Sequence, residues 1–415
     1  MSRLIYATPD GRVQVHSSLH ALARTGWEVA PPDHLIPIPN GTTLVHLPGR
    51  FAIGRSARGP VSLRTEGQLA VAAVLPPGYL RTWLPAYEAS SGAPVLPLYG
   101  YAAVGAVDGE PRVAALRTDR WEAWNPQAME RQQMAPSLRA AVRALPANRL
   151  VQHLVTCATD YRCLTAQNLF IRRGEGAIPV SPACNAACLG CISEQWGEVA
   201  SPQTRLSFAP GAIEIAELAA WHLSAHVENF VSFGQGCEGE PLTRGAILVE
   251  AVRRIRAAAP AATIHINSNG SRPEVLRRLI AAGLNSIRIS IFSLDDARFR
   301  AYYRPVGYSL KEVADCATVM ADRGGQVTVN LLTFPGISDA PEEIEALVTF
   351  IQQRGVHQVQ LRTLNVDPLW LLDRIPNRTA GIGMRAFVDQ LRRRCPGLRL
   401  GNFTRAWPVA EPISV

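Results

Sequence analysis

Residues 181–197, SPACNAACLGCISEQWG, place Cys184, Cys188 and Cys191 within eight positions of a chain that has 8 cysteines in 415 residues. A run that tight has to be cross-linked, metal-bound or reactive, and each choice prescribes a different protein. Disulfides belong to oxidising compartments. The opening MSRLIYATPDGRVQ has no basic stretch leading into an apolar one, and no segment reaches the roughly 18 apolar residues of a membrane helix. A soluble, cytoplasmic chain with reduced thiols is therefore expected, which turns the cluster towards metal or catalysis. A structural zinc site takes four protein ligands, and no nearby Cys-x-x-Cys or His pair completes one. Three thiolates at i, i+4 and i+7 can instead wrap a [4Fe–4S] cluster and leave one iron for a ligand from outside the protein.

The surrounding sequence divides into segments of different grammar. Residues 1–125 read as short β-strands (RVQVHSSL, TTLVHLP, LAVAAVLP, YAAVGAV) separated by turn chemistry such as PDG, PNG and VDGEP. No catalytic motif appears there, so this β-rich segment is expected to recognise a substrate or partner. Residues 126–175 read as a helical linker, with apolar positions three and four apart. From 176 to 370 strands and helices alternate: AIPVSP, NFVSFG, ATIHINSNG, SIRISIF, QVTVNLLTF and HQVQLRTL, with helices starting near 211, 242, 272, 309 and 339. The strands read as continuous apolar runs, as in a parallel sheet buried on both faces. The expected fold is α/β, a partial parallel (β/α)6 barrel behind a smaller β-rich N-terminal domain, with a helix and strand extension over 371–415. The chemically suggestive motifs fall at the strand ends, where such a barrel builds its site.

A C-x₃-C-x₂-C loop after the first strand of a β/α barrel resembles the signature of the radical S-adenosylmethionine (radical SAM) superfamily, and the accompanying motifs span about residues 176–370. The resemblance implies a [4Fe–4S] cluster on Cys184, Cys188 and Cys191, S-adenosyl-L-methionine as cofactor, and a flavodoxin- or ferredoxin-type reductant. EGEP at 238–241 looks like the family's Gly-Gly-Glu-Pro turn with Glu238 in place of the first glycine. It implies that Gly239, Glu240 and Pro241 line the methionine amino group. INSNG nominates Asn267 and Asn269 for the methionine portion. Ser290 and Arg362 match positions used for ribose or carboxylate contacts, and TFPGISD nominates Pro335 and Gly336 for the adenine side. One position departs: the residue before the third cysteine is usually aromatic, and here it is Gly190. Adenine packing then falls to Ile192, Trp196 or another partner.

Outside these motifs, Cys237 precedes the EGEP turn and is nominated, with Tyr303 of RAYYRP, as a catalytic side chain that handles hydrogen atoms or contacts substrate. Tyr302 beside it is a further radical quencher or stacking residue. Cys157 and Cys163 read as reduced packing cysteines, the sharper alternative being thiol chemistry or a second cluster; Cys316 reads as core. The net charge of +8 splits without a basic stripe in either half, so a nucleic-acid partner rests on little. The reading is an enzyme acting on an unidentified small molecule or peptide, its oxidoreductase, lyase or transferase class open. An RNA-modifying methyltransferase is the alternative, although only the poor match RRCPGL at Cys395 offers a methyl-carrying cysteine. The C-terminal cysteine triad of the molybdopterin cyclases is absent. A non-catalytic iron–sulfur scaffold or redox sensor is the reading from another class.

Overall fold

The computed structural model describes residues 2–120, 134–195, 200–226, 228–376 and 379–407. Up to Arg117 these are β-structure. Nine strands form an antiparallel sheet in the order Tyr87–Ala89, Thr43–Ser56, Val13–Ala21, Arg3–Ala7, Leu69–Val74, Tyr101–Val107, Glu110–Val113 and Ile36–Pro37, with Gly59–Ser62 on Thr43–Ser56. The VDGEP turn is a tight hairpin in which Asp108 and Gly109 both take positive φ, 53° and 82°, as a two-residue turn matched to strand twist requires. Three helices follow: α1 (Met134–Ala144), α2 (Arg149–Thr159) and α3 (Leu164–Ile171). The expected helical start at 126–133 lies outside the described residues.

The second sheet is parallel throughout. Its strands run in chain order: β1 (Glu175–Ala177), β2 (Phe230–Phe233), β3 (Ile264–Ser268), β4 (Ser286–Ile291), β5 (Gln326–Thr333), β6 (Gln358–Thr363) and β7 (Arg399–Gly401). The crossovers are α4 (Ala212–Leu223), α5 (Gly245–Ala258), α6 (Pro273–Ala282), α7 (Asp296–Tyr303) with α8 (Leu310–Ala321), and α9 (Pro341–Gln353). A short α10 (Pro368–Leu372) and then α11 (Met384–Arg394) lead to β7. The expected six β/α units are present, and the extension beyond 370 adds a seventh strand to the same sheet, Gln358 opposite Arg399. Local chemistry starts the helices where the sequence indicated: Ser309 and Glu312 form a reciprocal cap on α8, and proline opens α6 and α9. No helix among the described residues is long and apolar enough to cross a membrane.

The strands are not the continuous apolar runs expected. Ile264, Ile266, Ile287, Ile289, Val327, Val329, Val359 and Leu361 pack into the core shared with the helices. The residues between them are polar: His265 and Asn267; Ser286, Arg288 and Ser290; Gln326, Thr328 and Asn330; Gln358, Gln360 and Arg362. They stand opposite one another across the sheet, Asn267 by Arg288, Ser290 by Asn330 and Asn330 by Gln360. Period-two alternation puts one class on each face. The inner face is therefore polar and hydrogen-bonded, with the hydrophobic layer only under the helices.

The front sheet is docked against the C-terminal ends of β5 and β6. Asp367, the cap of α10, pairs with Arg50 where both side chains are buried, and it accepts from the Leu96 N–H at 3.0 Å. Arg81, wholly buried, donates to the carbonyls of Tyr101 (3.0 Å) and Leu364 (3.3 Å), one on each side of the seam.

Candidate active site

The cysteine loop leaves β1 and is stitched to the turn that follows β2. The Gly239 N–H donates to the Ser181 carbonyl at 2.7 Å, and the Glu240 N–H to the Ala183 carbonyl at 2.8 Å. A Cβ on Gly239 would stand 2.0 Å from the Ala183 oxygen, so only glycine lets the strands of this seam approach. Glu238 anchors the other side. Its buried carboxylate accepts from the N–H groups of Val180 (2.6 Å), Ser181 (2.9 Å), Gly234 (2.7 Å) and Gln235 (2.7 Å). Burial pushes this carboxyl upward, and the four donors pull it back towards its ionised form. Glu240 is equally occupied: it accepts from Leu242 N–H, Ser268 Oγ and Asn269 N–H at 2.7–3.0 Å. Asn269 in turn donates to Asn185 Oδ1 of the cysteine loop at 2.8 Å. Glu240 thus holds the loop through its backbone N–H and Asn269 through its side chain, while the Glu240 carboxylate ties the turn to the end of β3.

Within that frame the three loop cysteines are half-buried. Burial, with Glu240 nearby, pushes the Cys184 thiol up to about 11, and burial with its two neighbours pushes Cys188 well above its usual range. Only a bound metal would make such thiols ionise near neutrality. Arg205 lies over the same loop, its Nη2 donating to Cys191 Sγ at 3.5 Å and its Nε to Ser193 Oγ at 3.3 Å. Among the described residues the loop thiols form no group with all donors within 4.8 Å of one another, as a single tetrahedral ion would need. Three thiols from one loop, spread and overlaid by a cation, fit the wider span of an iron–sulfur cluster.

Beside the loop lies a cavity of about 620 Å³ between the barrel and the front domain. Asn267, Arg288, Ser290, Asn330 and Arg362 line it from the barrel, and Pro76, Tyr79 and Tyr99 from the front domain. Arg288 Nη1 donates to Gln360 Oε1 at 2.7 Å, and Arg362 Nη2 reaches the same oxygen at 3.4 Å. Burial, and then the neighbouring Arg288, push the Arg362 guanidinium down to about 9. Arg288 Nε and Asn330 Oδ1 are buried without a partner. Two desolvated cations with spare polar atoms suit an anionic or strongly polar ligand.

Of the sequence-nominated residues, Asn267, Ser290 and Arg362 border this cavity. Asn267 also donates to the Phe233 carbonyl at 2.9 Å and faces His265 Nε2 at 3.0 Å. Pro335 and Gly336, expected on the adenine side, are taken up by the domain seam. The Gly26 N–H donates to the Pro335 carbonyl at 2.9 Å, and a Cβ on Gly336 (φ +87°) would stand 2.1 Å from the Gly26 nitrogen. Gly190 has a physical explanation: the Tyr302 hydroxyl occupies the space a side chain there would need. Tyr302 stacks on Phe292 at 4.6 Å and borders the cavity, so an aromatic ring reaches this place from α7 instead of from the loop. Ile192 also borders the cavity, whereas Trp196 lies outside the described residues. Tyr303 is packed against Phe299 and Tyr302 beneath the loop, its carbonyl accepting from Ala187 N–H, and does not border the cavity.

Cys237, nominated as a catalytic thiol, is buried and faces away from these residues, towards Cys157 and His153 of α2. A hydrogen bond with Cys237, assisted by His153, draws the Cys157 thiol below its usual range. Cys163 borders the cavity, its Sγ 3.3 Å from Thr165 Oγ1. Cys316 is core, donating to the Gly270 carbonyl, and Cys395 is buried at the end of α11. Arg205, Arg288, Asn330 and His153 were not singled out from sequence. For Arg288 and Asn330 the signal was present, as polar residues at alternate positions of apolar strands.

Residues 178–351 match the family model described as the radical SAM superfamily. GTP 3′,8-cyclase of Marinobacter nauticus is 31% identical over 185 residues, 43% of this chain and 50% of that protein. Molybdenum cofactor biosynthesis protein 1 of Mus musculus is 26% identical over 227 residues, 53% of this chain and 32% of that one. The chain thus spans half the length, or less, of these curated relatives. The crystal structure of methylornithine synthase has a TM-score of 0.38 and 16% identity, covering 57% of this chain and 68% of that one.

Proposed function

Since this chain, through residues 178–351, belongs to the radical SAM superfamily of enzymes, we propose that it uses one [4Fe–4S] cluster and S-adenosylmethionine to start a radical reaction on a small, anionic organic substrate. Bound on Cys184, Cys188 and Cys191, such a cluster would supply the electron that cleaves the sulfonium to a hydrogen-abstracting 5′-deoxyadenosyl radical. The observation that carries the reading is the seam between the cysteine loop and the Gly239–Glu240 turn, opening beside a cavity with two arginines. Gly239, Glu240 and Pro241 present backbone groups at that seam for the amino-acid end of the cofactor, with Asn267, Ser290 and Arg362 beyond it. Tyr302 supplies the aromatic surface absent at Gly190.

Arg288, with its Nε donor unpartnered, and Asn330, with its Oδ1 acceptor unpartnered, are assigned to the substrate, for which a carboxylate or phosphate on Arg288 beside a hydrogen-bond donor to Asn330 is the matching chemistry. The front domain contributes wall residues to the cavity, which supports a role in substrate enclosure and a small molecule over a long polypeptide. The likeness to GTP 3′,8-cyclase makes phosphorylated heterocycles the first substrates to try. The buried Cys395 does not border the cavity and gives the methyltransferase alternative no support. The electron would come from a flavodoxin- or ferredoxin-type donor in a cytoplasmic setting.

The test is anaerobic reconstitution followed by dithionite and S-adenosylmethionine, with chromatography for 5′-deoxyadenosine. About four irons per chain and formation of 5′-deoxyadenosine, lost in Cys191→Ala, are expected. A cluster-replete protein that forms none would favour the scaffold or redox-sensor reading.

A further inference from the structure

Behind the barrel wall, His153, Cys157 and Cys237 bring their ligand atoms within 4.8 Å of one another, a group that the radical reading does not use. His153 and Cys157 are four residues apart on α2, so they project from one helix face. Cys237 comes from the end of the loop after β2. The His153 Nε2 to Cys157 Sγ separation is 3.7 Å. A tetrahedral zinc with Zn–S of about 2.3 Å and Zn–N of about 2.0 Å sets nitrogen and sulfur about 3.5 Å apart. The ligand backbones are fixed independently: the Cys157 carbonyl accepts from Cys163 N–H at 2.9 Å and the Cys237 carbonyl from Leu206 N–H at 2.8 Å. Cys157 and Cys237 are buried while His153 is half-buried, which leaves an approach from the α2 side.

From this geometry we infer that His153 Nε2, Cys157 Sγ and Cys237 Sγ form a site for one divalent zinc ion, with a water molecule as fourth ligand. One imidazole and two thiolates are a borderline-soft set that suits zinc over magnesium or calcium. Zinc takes both sulfurs as thiolates, any proton that the Cys157–Cys237 pair still holds leaves to solvent, and no oxidation is involved. The ion ties α2 to Cys237, the residue directly before Glu238, and so braces the turn that holds the cysteine loop. It is distinct from the loop thiols and does not depend on the radical reaction.

The test uses the full chain with its iron–sulfur cluster loaded anaerobically, exposed to equimolar zinc and desalted. Metal analysis is expected to find about one zinc per chain beside the full iron content. Zinc-edge X-ray absorption, which is blind to iron, should show two sulfur and two nitrogen or oxygen neighbours. Cys157→Ser and His153→Ala should each lower retained zinc at least tenfold with iron unchanged. His153→Ala and the absorption spectrum of the parent protein carry the test if a cysteine variant fails to fold. Three outcomes overturn the proposal: no zinc retained by protein with free thiols, zinc held by three or more sulfurs and indifferent to His153→Ala, or a Cys157–Cys237 disulfide in anaerobically prepared protein.

Discussion

At Gly190 a Cβ would stand 2.8 Å from the Tyr302 hydroxyl and 3.3 Å from Leu364 Cδ1. Tyr302 has little room to retreat, because its ring is stacked on Phe292 and set edge-on to Tyr303 at 4.9 Å. The glycine and the tyrosine therefore behave as one unit, and the identity of either depends on the other. Gly190→Ala is expected to cost about 1–2 kcal/mol through overpacking, and Tyr302→Phe to relieve most of that cost by removing the clashing oxygen. A double-mutant cycle on thermal unfolding should show coupling of about 1 kcal/mol. Additive effects would mean that the tyrosine does not fill the place of the missing aromatic.

The turn after β2 is the element on which the site depends, and its departure from the family's Gly-Gly-Glu-Pro is a structural device. Replacing Glu238 by glycine would restore the family residue and leave the N–H groups of Val180, Ser181, Gly234 and Gln235 without their acceptor. Each orphaned buried donor costs about 1–3 kcal/mol, so Glu238→Gly is expected to lose at least about 3 kcal/mol of stability and much of its capacity to hold iron. Urea denaturation and iron content read the two effects, and a change under about 0.5 kcal/mol would refute the anchoring role. The cysteine loop, the turn and the strand order were legible in the sequence because each is a local pattern at fixed spacing. The polar inner face was less so: the apolar half of IHINS, SIRIS and QVQLR dominates the reading, although the alternation is plain once His265, Arg288 and Gln360 are seen as a set. What spacing cannot give is a meeting of distant segments. Gly26 covering Pro335, Tyr302 filling Gly190 and α2 facing Cys237 all depend on how separate elements pack.

Beside its hydrophobic core the molecule carries polar contacts in buried places, and these make it sensitive to single substitutions and to acid. At the seam, Arg50→Met would leave the Asp367 carboxylate buried without its cation, a loss of about 3–5 kcal/mol. Limited proteolysis should then separate the front domain from the barrel at temperatures where the parent chain resists, and equal resistance would show that the seam is held by other contacts. Inside the barrel, His265 is buried between Ser286 Oγ at 2.7 Å and Asn267 Oδ1 at 3.0 Å. Burial, and then Arg288, hold its pKa down to about 3. The folded chain therefore keeps this ring neutral, while the unfolded chain takes up a proton near the ordinary histidine value of about 6.5. Above that pH neither form binds the proton and stability is flat. Below it the unfolded form binds more protons, so stability falls as pH drops from about 6.5 towards 3. Each pH unit in that window costs about 1.4 kcal/mol, or about 2 kcal/mol between pH 6.5 and 5, before most carboxylates titrate. Buried His222, also lowered by desolvation, acts in the same direction. Urea unfolding across this range should show the decline in the parent chain and a shallower one in His265→Gln, which keeps polar atoms but has no group to protonate. Equal slopes in the two proteins would mean that His265 is protonated within the fold or that the acid response arises elsewhere.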